Sequence, residues 1–337
     1  MRNYLLSFFF FSQTLFAQDL SAIYEKVSPA VVIILTEEKK IATSEEKSNY
    51  THDAGLGSGF MISDKEIITA AHVVSVAEKI NVQFHDGEVI PAKVTSSFQG
   101  ADVALIELLW ARKNPKTVEL ADSDNVRIGE QIFIVGAPYG LVHSLSSGYV
   151  SGRKKIEQTI KNPFSQMEYL QTDASINQGN SGGPMFNLDG KVVGIVSQIL
   201  SESGGFQGIG FAATSNMARK LLLENSILWS GMDSYPITGK LAKAFNLPQA
   251  HGLLVQRVVF LSPFGTLGLQ GGDIETIING KNLVIGGDII LSIGDIKFEM
   301  TDKTLVKIGE YASQISQEDP LKISVLRGGK VITLERK

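Results

Sequence analysis

A serine lies in the middle of a glycine- and asparagine-rich segment, Asn177–Pro184 (NQGNSGGP), between two apolar runs that are typical of β-strands. Glycines adopt backbone conformations that other residues rarely reach, so a tight loop here can turn several N–H groups towards one point. Such donors stabilise the oxyanion that forms when a serine hydroxyl attacks a carbonyl carbon. Ser181 is therefore a candidate nucleophile, although the same letters taken alone are typical of a hairpin turn.

Two further residues complete a set that can activate a serine. His72, in Thr69–Val74 (TAAHVV), follows an apolar run at a point where a strand can end and a short helix begin. Asp102 opens the apolar run Val103–Ile106, where it either caps a turn or holds a histidine in the tautomer needed for catalysis. Each residue alone is more often structural. Together they follow the chain order His, Asp, Ser, which is that of double-barrel serine proteases and differs from subtilisins and α/β-hydrolases.

An unrelated esterase is a weaker interpretation of the same serine. Gly179, Ser181 and Gly183 do match the G-x-S-x-G pattern of a nucleophile elbow. That elbow needs a long helix directly after the serine, whereas here Gly182, Gly183 and Pro184 are followed by a predicted strand. The surroundings of the serine therefore argue against an α/β-hydrolase.

Composition excludes several other classes. The chain has 337 residues, of which 43% are hydrophobic and 20% are charged, so it is neither disordered nor too short for roughly two or three domains. The formal net charge of −4 gives no reason to expect nucleic acid as a partner. The absence of cysteine excludes disulfides, thiolate metal sites and a cysteine nucleophile. No His/Asp/Glu cluster has ligand spacing, so we expect no metal and no other cofactor.

The N-terminus has the layout of a secretory signal peptide over residues 1–17. Arg2 precedes an apolar stretch, Tyr4–Phe16, and the small residue Ala17 precedes the polar Gln18. The stretch is shorter than the ~20 apolar residues that cross a bilayer. We therefore expect export, with an uncleaved N-terminal membrane anchor as the alternative.

Short apolar runs separated by turn residues predict a mostly β protein up to about residue 225. Asp19 is placed to cap a short opening helix, Val31–Leu35 is typical of a buried strand, and the charged Thr36–Ala54 predicts an exposed mobile loop. The runs from Gly57 to Ser197 predict a sandwich or barrel. A helix is predicted over Ser215–Leu223, with Ser215 as its cap. The chain beyond Trp229 mixes helices and strands, which predicts an α+β fold.

These residues resemble the HtrA (DegP-like) family of serine proteases. The resemblance rests on six segments in order: GSGFMIS (57–63), ITAAHVV (68–74), ADVALIEL (101–108), SDNVRIGEQIFIVGAPYG (123–140), TDASINQGNSGGPMFNLDGKVVGIVS (172–197) and GIGFAATSNM (208–217). It implies a mostly β fold: a chymotrypsin-like double β-barrel over residues 18–225, then a C-terminal α+β PDZ-like domain over 226–337.

The resemblance also implies roles for individual residues. Ser181 would be the nucleophile, His72 the general base and then acid, and Asp102 the carboxylate that orients the histidine. The oxyanion hole would consist of the N–H groups of Gly179 and Ser181, with Asn180 shaping the loop between them. The pocket for the substrate side chain would be lined by Gly208, Ile209, Gly210, Phe211 and Ala212.

In the C-terminal part the resemblance is carried by GLLVQRV, SPFGTLGL and GGDII, followed by a helix and two strands. GGDI occurs twice, at 271–274 and 286–289, and we take the second copy as the family's Gly-Asp, with Glu275–Val284 as an inserted hairpin. The segment WSGM (229–232) stands where the family binds a peptide carboxylate, which points to Ser230, Gly231 and Met232. An ordinary linker is the alternative for these residues.

The function implied is a secreted, periplasmic serine endoprotease that acts on unfolded or damaged proteins. The expected partners are such substrates, C-terminal peptides at the PDZ-like domain, and further copies of the chain in a homotrimer or higher oligomer. The alternative is a chaperone-like peptide-binding protein with an idle protease domain. It stays open because Gln178 stands where the family usually has proline beside the oxyanion hole.

Overall fold

The computed structural model describes residues 19–44, 47–137, 143–156, 167–199, 206–225, 227–315 and 319–336. The predicted signal peptide lies outside the described residues, so its cleavage stays a prediction. None of the described helices is both long enough and apolar enough to cross a membrane.

Residues Val31–Leu108 form a closed antiparallel barrel of six strands, joined in the order β1-β2-β3-β6-β5-β4. Their bounds are β1 Val31–Ser44, β2 Lys47–Met61, β3 Glu66–Thr69, β4 Ala77–Gln83, β5 Val89–Phe98 and β6 Val103–Leu108. A single helical turn, α2 (Ala71–Val74), follows β3.

A second closed six-stranded barrel follows, with the strand order β10-β11-β12-β9-β8-β7. Its strands are β7 Gln131–Gly136, β8 Ser144–Ile156, β9 Met167–Thr172, β10 Pro184–Phe186, β11 Val192–Ile199 and β12 Gly210–Thr214. The prediction of a mostly β, double-barrel fold is confirmed.

Strands at the junction of the barrels are buried on both faces. In β7, Ile132 and Ile134 belong to the core of the second barrel, whereas Phe133 and Val135 belong to a cluster shared by the two barrels. Phe133 stacks on Phe186 there, with ring centroids 5.1 Å apart. Because successive side chains of a strand point to opposite faces, burial of both faces requires an uninterrupted apolar run such as IFIV, residues 132–135. We call this shared cluster the seam.

The opening helix, α1 (Leu20–Val27), packs against the seam through Leu20, Ile23, Tyr24 and Val27. Asp19 caps it, as predicted, because its Oδ1 accepts a hydrogen bond of 3.0 Å from the Ser21 N–H.

The loop predicted over Thr36–Ala54 is wrong. Strands β1 and β2 continue through this segment as an antiparallel ladder, from the pair Thr36–Gly55 to the pair Ser44–Lys47. The ladder uses backbone groups and needs no buried face, so charged side chains do not prevent it. Their lack of apolar alternation concealed the strands.

The predicted helix over Ser215–Leu223 also needs correction. Helix α3 spans Ser215–Ala218, and a π-helical segment continues it over Arg219–Glu224. Its cap is Thr214, one residue earlier than predicted, because the Thr214 hydroxyl accepts from the Met217 N–H. Both Thr214 and Ser215 are common capping residues, so sequence alone does not separate them.

The C-terminal region forms a six-stranded antiparallel sheet in the order β13-β14-β17-β19-β20, with β18 paired to β17. The predicted hairpin is confirmed as a separate two-stranded sheet, β15–β16. The strands are β13 Met232–Thr238, β14 His251–Val258, β15 Ile274–Ile278, β16 Lys281–Ile285, β17 Ile289–Ile293, β18 Ile296–Lys297, β19 Leu321–Arg327 and β20 Lys330–Arg336. The helices are α4 Gly239–Ala244, α5 Pro263–Thr266 and α6 Asp302–Gln314.

A buried carboxylate holds this sheet to its loops. Asp288 is only 1% exposed and accepts two hydrogen bonds from Arg327, of 2.7 Å from Nε and 2.6 Å from Nη2. It also accepts from the Gln270 N–H at 2.9 Å. The guanidinium therefore compensates a charge that has no access to water.

We expect Arg327→Ala to lower the free energy of unfolding by about 3–5 kcal/mol, because it leaves the Asp288 charge buried and unpaired. Urea titration of the full chain measures the loss. The control is Arg127→Ala, which breaks an exposed pair with Glu130 and costs at most about 1 kcal/mol. Equal losses in the two variants would contradict the prediction.

Candidate active site

The ends of two paired strands bring His72 and Asp102 together. Strand β3 pairs with β6 through Thr69 and Ala104, so the turn after β3 lies beside the residue before β6. His72 Nδ1 is 2.9 Å from Asp102 Oδ1 and 2.8 Å from Oδ2, and the His72 backbone N–H donates to Oδ1 at 2.9 Å. A proton on Nδ1 makes these contacts favourable and leaves Nε2 free to accept another proton.

Asp102 adopts a left-handed backbone conformation, with φ of 56°. Aspartate tolerates this region better than most residues do, because its short side chain forms local hydrogen bonds. The Asp102 N–H donates to Gln99 O at 3.2 Å, which closes a tight turn before β6. Both sequence interpretations of Asp102 therefore hold at once, since it forms a turn and contacts the histidine.

Ser197 is a further partner of this carboxylate that sequence reasoning missed. Its hydroxyl donates to Asp102 Oδ2 at 2.5 Å, and the residue is 5% exposed. The one available signal was a hydroxyl in the apolar run of β11, VVGIVSQI. Such a residue is indistinguishable in sequence from any polar position of a strand.

Asp102 changes the acidity of His72. Burial lowers the pKa of the imidazole, but the hydrogen bond and the negative charge of Asp102 outweigh it, so the pKa is raised above its ordinary value. The His72 side chain is still 51% exposed, which leaves its outer edge accessible.

In the Ser181 loop (Asn177–Pro184), two backbone N–H groups have no hydrogen-bond partner among the described residues. The Asn180 N–H donates to Asn177 O at 3.0 Å, and the Gly182 N–H donates to Val196 O at 2.7 Å. Within the described residues, the N–H groups of Gly179 and Ser181 make no hydrogen bond. Positive φ angles of 102° at Gly179 and 82° at Gly182 permit this alternation.

Close packing seats the Ser181 loop beside the helical turn that carries His72. The Ser58 N–H donates to Ser181 O at 2.8 Å. A Cβ added at Gly57 would lie 2.6 Å from Val73 Cγ1 and 3.3 Å from Ser181 O, so this glycine separates the two elements. A Cβ at Gly182 would lie 2.7 Å from Ala70 N. The absence of side chains at these two positions lets the barrels approach.

In the described part of the chain, Ser181 Oγ makes no hydrogen bond and the His72 ring bonds to Asp102 alone. Catalytic hydrogen bonds are often long in unliganded enzymes and shorten when substrate binds. Among the described residues, the structure thus joins His72 to Asp102 and packs the Ser181 loop beside the helical turn of His72, with no hydrogen bond between the serine hydroxyl and the imidazole.

The predicted pocket residues fall into two groups. Gly208 is exposed, Ile209 is partly exposed, and Gly210 begins β12. Phe211 and Ala212 are 8% and 0% exposed and belong to the cores. A Cβ at Gly210 would lie 2.5 Å from Ile176 Cδ1, so the strand packs tightly against the segment before Ser181. The pocket stays a prediction.

Ser230 and Met232 line a cavity of about 560 Å³ between the barrels and the C-terminal sheet, and Gly231 lies between them in the chain. Gly231 O accepts from the Val259 N–H at 2.8 Å, and the Met232 N–H donates to Ser230 Oγ at 3.4 Å. Trp229 Nε1–H donates to Ser75 O at 3.2 Å. Ser75 is the C-terminal cap of α2, the helical turn that contains His72.

Among the described residues, no group of three His, Asp or Glu side chains could hold a metal ion.

The trypsin-like peptidase domain model matches residues 57–195 of this chain. A probable periplasmic serine endoprotease DegP-like of Pseudomonas putida (strain W619) is 34% identical over 316 residues, which cover 83% of this chain and 65% of the relative. The DegP-like relative of Pseudomonas fulva (strain 12-X) is 38% identical over 249 residues, 72% of this chain and 51% of the relative. The periplasmic pH-dependent serine endoprotease DegQ of Escherichia coli (strain K12) is 33% identical over 349 residues, which cover 94% of this chain and 69% of the relative.

Solved structures of HtrA-type proteases are also similar to this chain. The HtrA-type protease AlgW with decapeptide matches with a TM-score of 0.52 and 26% identity, covering 94% of this chain and 96% of that one. AlgW with tripeptide matches with a TM-score of 0.53, also at 26% identity, covering 94% and 95%.

Two closed barrels with a serine, a histidine and an aspartate at their junction define the chymotrypsin-like class of serine protease folds. Within that class, the chain belongs to the HtrA family of DegP-like serine proteases. It spans 65% and 51% of the length of the two Pseudomonas relatives.

We expect the pKa of His72 to lie above about 6.5 in the folded protein and to fall below it in Asp102→Asn, where burial acts alone. Because the folded-state pKa is raised, the pair stabilises the fold fully below the unfolded value and loses this contribution as the pH rises. NMR titration of the His72 ring, in a Ser181→Ala background, measures the pKa. Equal pKa values with and without the Asp102 carboxylate would contradict the assignment.

Proposed function

We propose that this protein is a serine endoprotease in which Ser181, His72 and Asp102 form the catalytic triad. The observation that carries the proposal is the pairing of a carboxylate-held imidazole with an adjacent serine loop. In that loop the unpaired N–H groups flank Asn180. A purely structural hairpin turn gives no reason for this alternation.

In the proposed reaction, each of these residues acts in a defined step of peptide-bond hydrolysis. Asp102 keeps the proton on Nδ1, so Nε2 of His72 takes the Ser181 proton as the hydroxyl attacks the peptide carbonyl. The N–H groups of Gly179 and Ser181 stabilise the resulting oxyanion. The imidazolium, favoured by the raised pKa, then protonates the leaving amine. Water enters with His72 again as base and releases the acyl group from Ser181.

Asn180 has a supporting role in this proposal. Its N–H is committed to Asn177 O, so it is not a third oxyanion donor. It shapes the loop instead, and it is buried with 4% exposure. The predicted pocket at Gly208, Ile209 and Gly210 would hold the substrate side chain, backed by the buried Phe211 and Ala212.

The substrates we propose are unfolded or damaged proteins outside the cytoplasm. The signal-like N-terminus and the names of the relatives, which are periplasmic endoproteases, support a periplasmic location. An N-terminal membrane anchor is the alternative. The half-exposed His72 edge and the partly exposed Ser181 favour an extended, flexible chain over a folded surface.

The residues 226–337 are proposed to form a PDZ-like domain that binds peptide C-termini. The cavity at Ser230–Met232 is bordered by Ile308 and Tyr311 of α6, and β13 is an edge strand of the sheet. An extended peptide can add to such an edge, with its carboxylate at the backbone N–H groups of the loop. The AlgW neighbours were solved with a decapeptide and with a tripeptide, which supports peptide binding by a chain of this kind.

We expect Ser181→Ala to reduce hydrolysis of denatured casein by a factor on the order of 10⁶, to the level of background. Mass spectrometry of the products tests this and gives the cleavage preference of the wild type. The control is Ser63→Ala, a serine in a turn whose hydroxyl accepts from the Glu66 N–H. Cleavage that survives in Ser181→Ala would contradict the proposal. An inactive wild type that still suppresses aggregation would favour the idle, chaperone-like alternative.

We also propose a homotrimer, as the family resemblance implies. Light scattering of the exported chain is expected to give three times the monomer mass. A monomeric mass at every concentration would contradict it.

A further inference from the structure

A buried hydroxyl from the first barrel is bonded to two backbone groups of the second. Ser58, in β2, is 0% exposed. Its Oγ–H donates to Gly179 O at 2.6 Å, and its Oγ accepts from the Ala137 N–H at 3.0 Å. Ala137 directly follows β7, and Gly179 lies in the Ser181 loop, two residues before the serine. One side chain thus connects both segments that border the serine.

The direction of these bonds is determined by their partners. A serine hydroxyl has a single proton, and a backbone N–H only donates. Since Ala137 supplies its proton to Oγ, the hydroxyl proton of Ser58 goes to the Gly179 carbonyl. This hydrogen bond therefore holds the Gly179 carbonyl towards Ser58 and opposes rotation of the carbonyl away from it.

The Gly179 carbonyl belongs to the peptide unit between Gly179 and Asn180. Ser58 holds the oxygen of that unit, and Asn177 O holds its N–H. A peptide unit is planar, so two bonds at opposite ends define its orientation. The peptide units on either side carry the unpaired N–H groups of Gly179 and Ser181, whose directions depend on this central plane.

The surroundings of the Ser58 hydroxyl are closely packed. A Cβ at Gly183 would lie 3.3 Å from Ser58 Cβ, and one at Gly182 would overlap Ser58 O. The Ser58 carbonyl is itself occupied, because the Thr69 hydroxyl donates to it at 2.7 Å. Removal of Oγ would leave the Ala137 N–H and the Gly179 C=O unpaired in a closed site.

We propose that Ser58 is a positioning residue that orients the oxyanion hole of this enzyme from the opposite barrel. The inference rests on the proposed function for its effect on hydrolysis. Ser58 touches no reacting atom. It acts through Gly179, and its loss is expected to affect the transition state more than substrate binding.

The experiment compares Ser58→Ala and Ser58→Cys with the wild type in steady-state hydrolysis of a peptide substrate. Loss of one direct oxyanion donor costs about 10²–10³ in kcat, so loss of an indirect support should cost about 10–100-fold. We expect KM to stay within about twofold, and Ser58→Cys to be intermediate because a thiol is a weak donor. Ser58→Cys also carries the test if Ser58→Ala does not fold.

The matched control is Ser215→Ala. Ser215 is equally buried, and its hydroxyl donates to the Ala121 carbonyl at 2.8 Å, away from the cleft. Hydrogen exchange of the segment 174–183 is measured in the same proteins. We expect faster exchange of this segment in Ser58→Ala and unchanged exchange in Ser215→Ala.

The outcomes separate this inference from the proposed function. The positioning role would be overturned if both Ser58 variants kept the wild-type kcat. It would also be overturned if kcat fell and KM rose by equal factors and Ser215→Ala showed the same changes. Inactivity of the wild type would overturn the proposed function, and hydrogen exchange would still decide whether Ser58 orders the loop.

Discussion

The seam between the two barrels is the constraint on which the rest of this structure depends. His72 and Asp102 belong to one barrel and Ser181 to the other, so the groups of the proposed triad meet only if the barrels dock in one register. Apolar packing of Phe60 and Ile68 against Phe133 and Phe186 supplies the affinity between them. Directional bonds, such as that from the Ser58 N–H to Ser181 O, supply the register, because apolar contact alone tolerates sliding.

Double burial at the seam also explains why much of the fold is predictable. A strand buried on both faces must be apolar without interruption, and Val31–Leu35 and IFIV (132–135) show this in the sequence. The long hairpin of β1 and β2 shows the converse. Its outer part is held by backbone pairing between β1 and β2, and its charged residues show no periodic pattern in the sequence, so they predict a loop. The residue types likewise predict a helix N-cap at this point, but they do not distinguish Thr214, which is the cap, from Ser215.

The candidate site divides in the same way. His72, Asp102 and Ser181 lie in sequence segments of distinctive composition. Their order along the chain, His, Asp, Ser, indicates a double-barrel serine protease. Ser58 and Ser197 are ordinary strand serines in sequence, and they gain meaning only from partners 121 and 95 residues away in the chain. Pairing over such separations depends on how closed barrels bring strands together, which no local pattern encodes. The three side chains of the proposed triad were therefore predictable from the sequence, and the side chains that position them were not.

The contact between Trp229 and Ser75 has a consequence for observing this protein in solution. The chain contains two tryptophans, and the other, Trp110, is 51% exposed. The indole of Trp229 borders the cavity of the C-terminal sheet and donates to the residue that closes the helical turn of His72. Its emission spectrum is thus sensitive to both regions at once. In Trp110→Phe, the native fluorescence becomes a single-site optical reporter of the junction between them, with no added label.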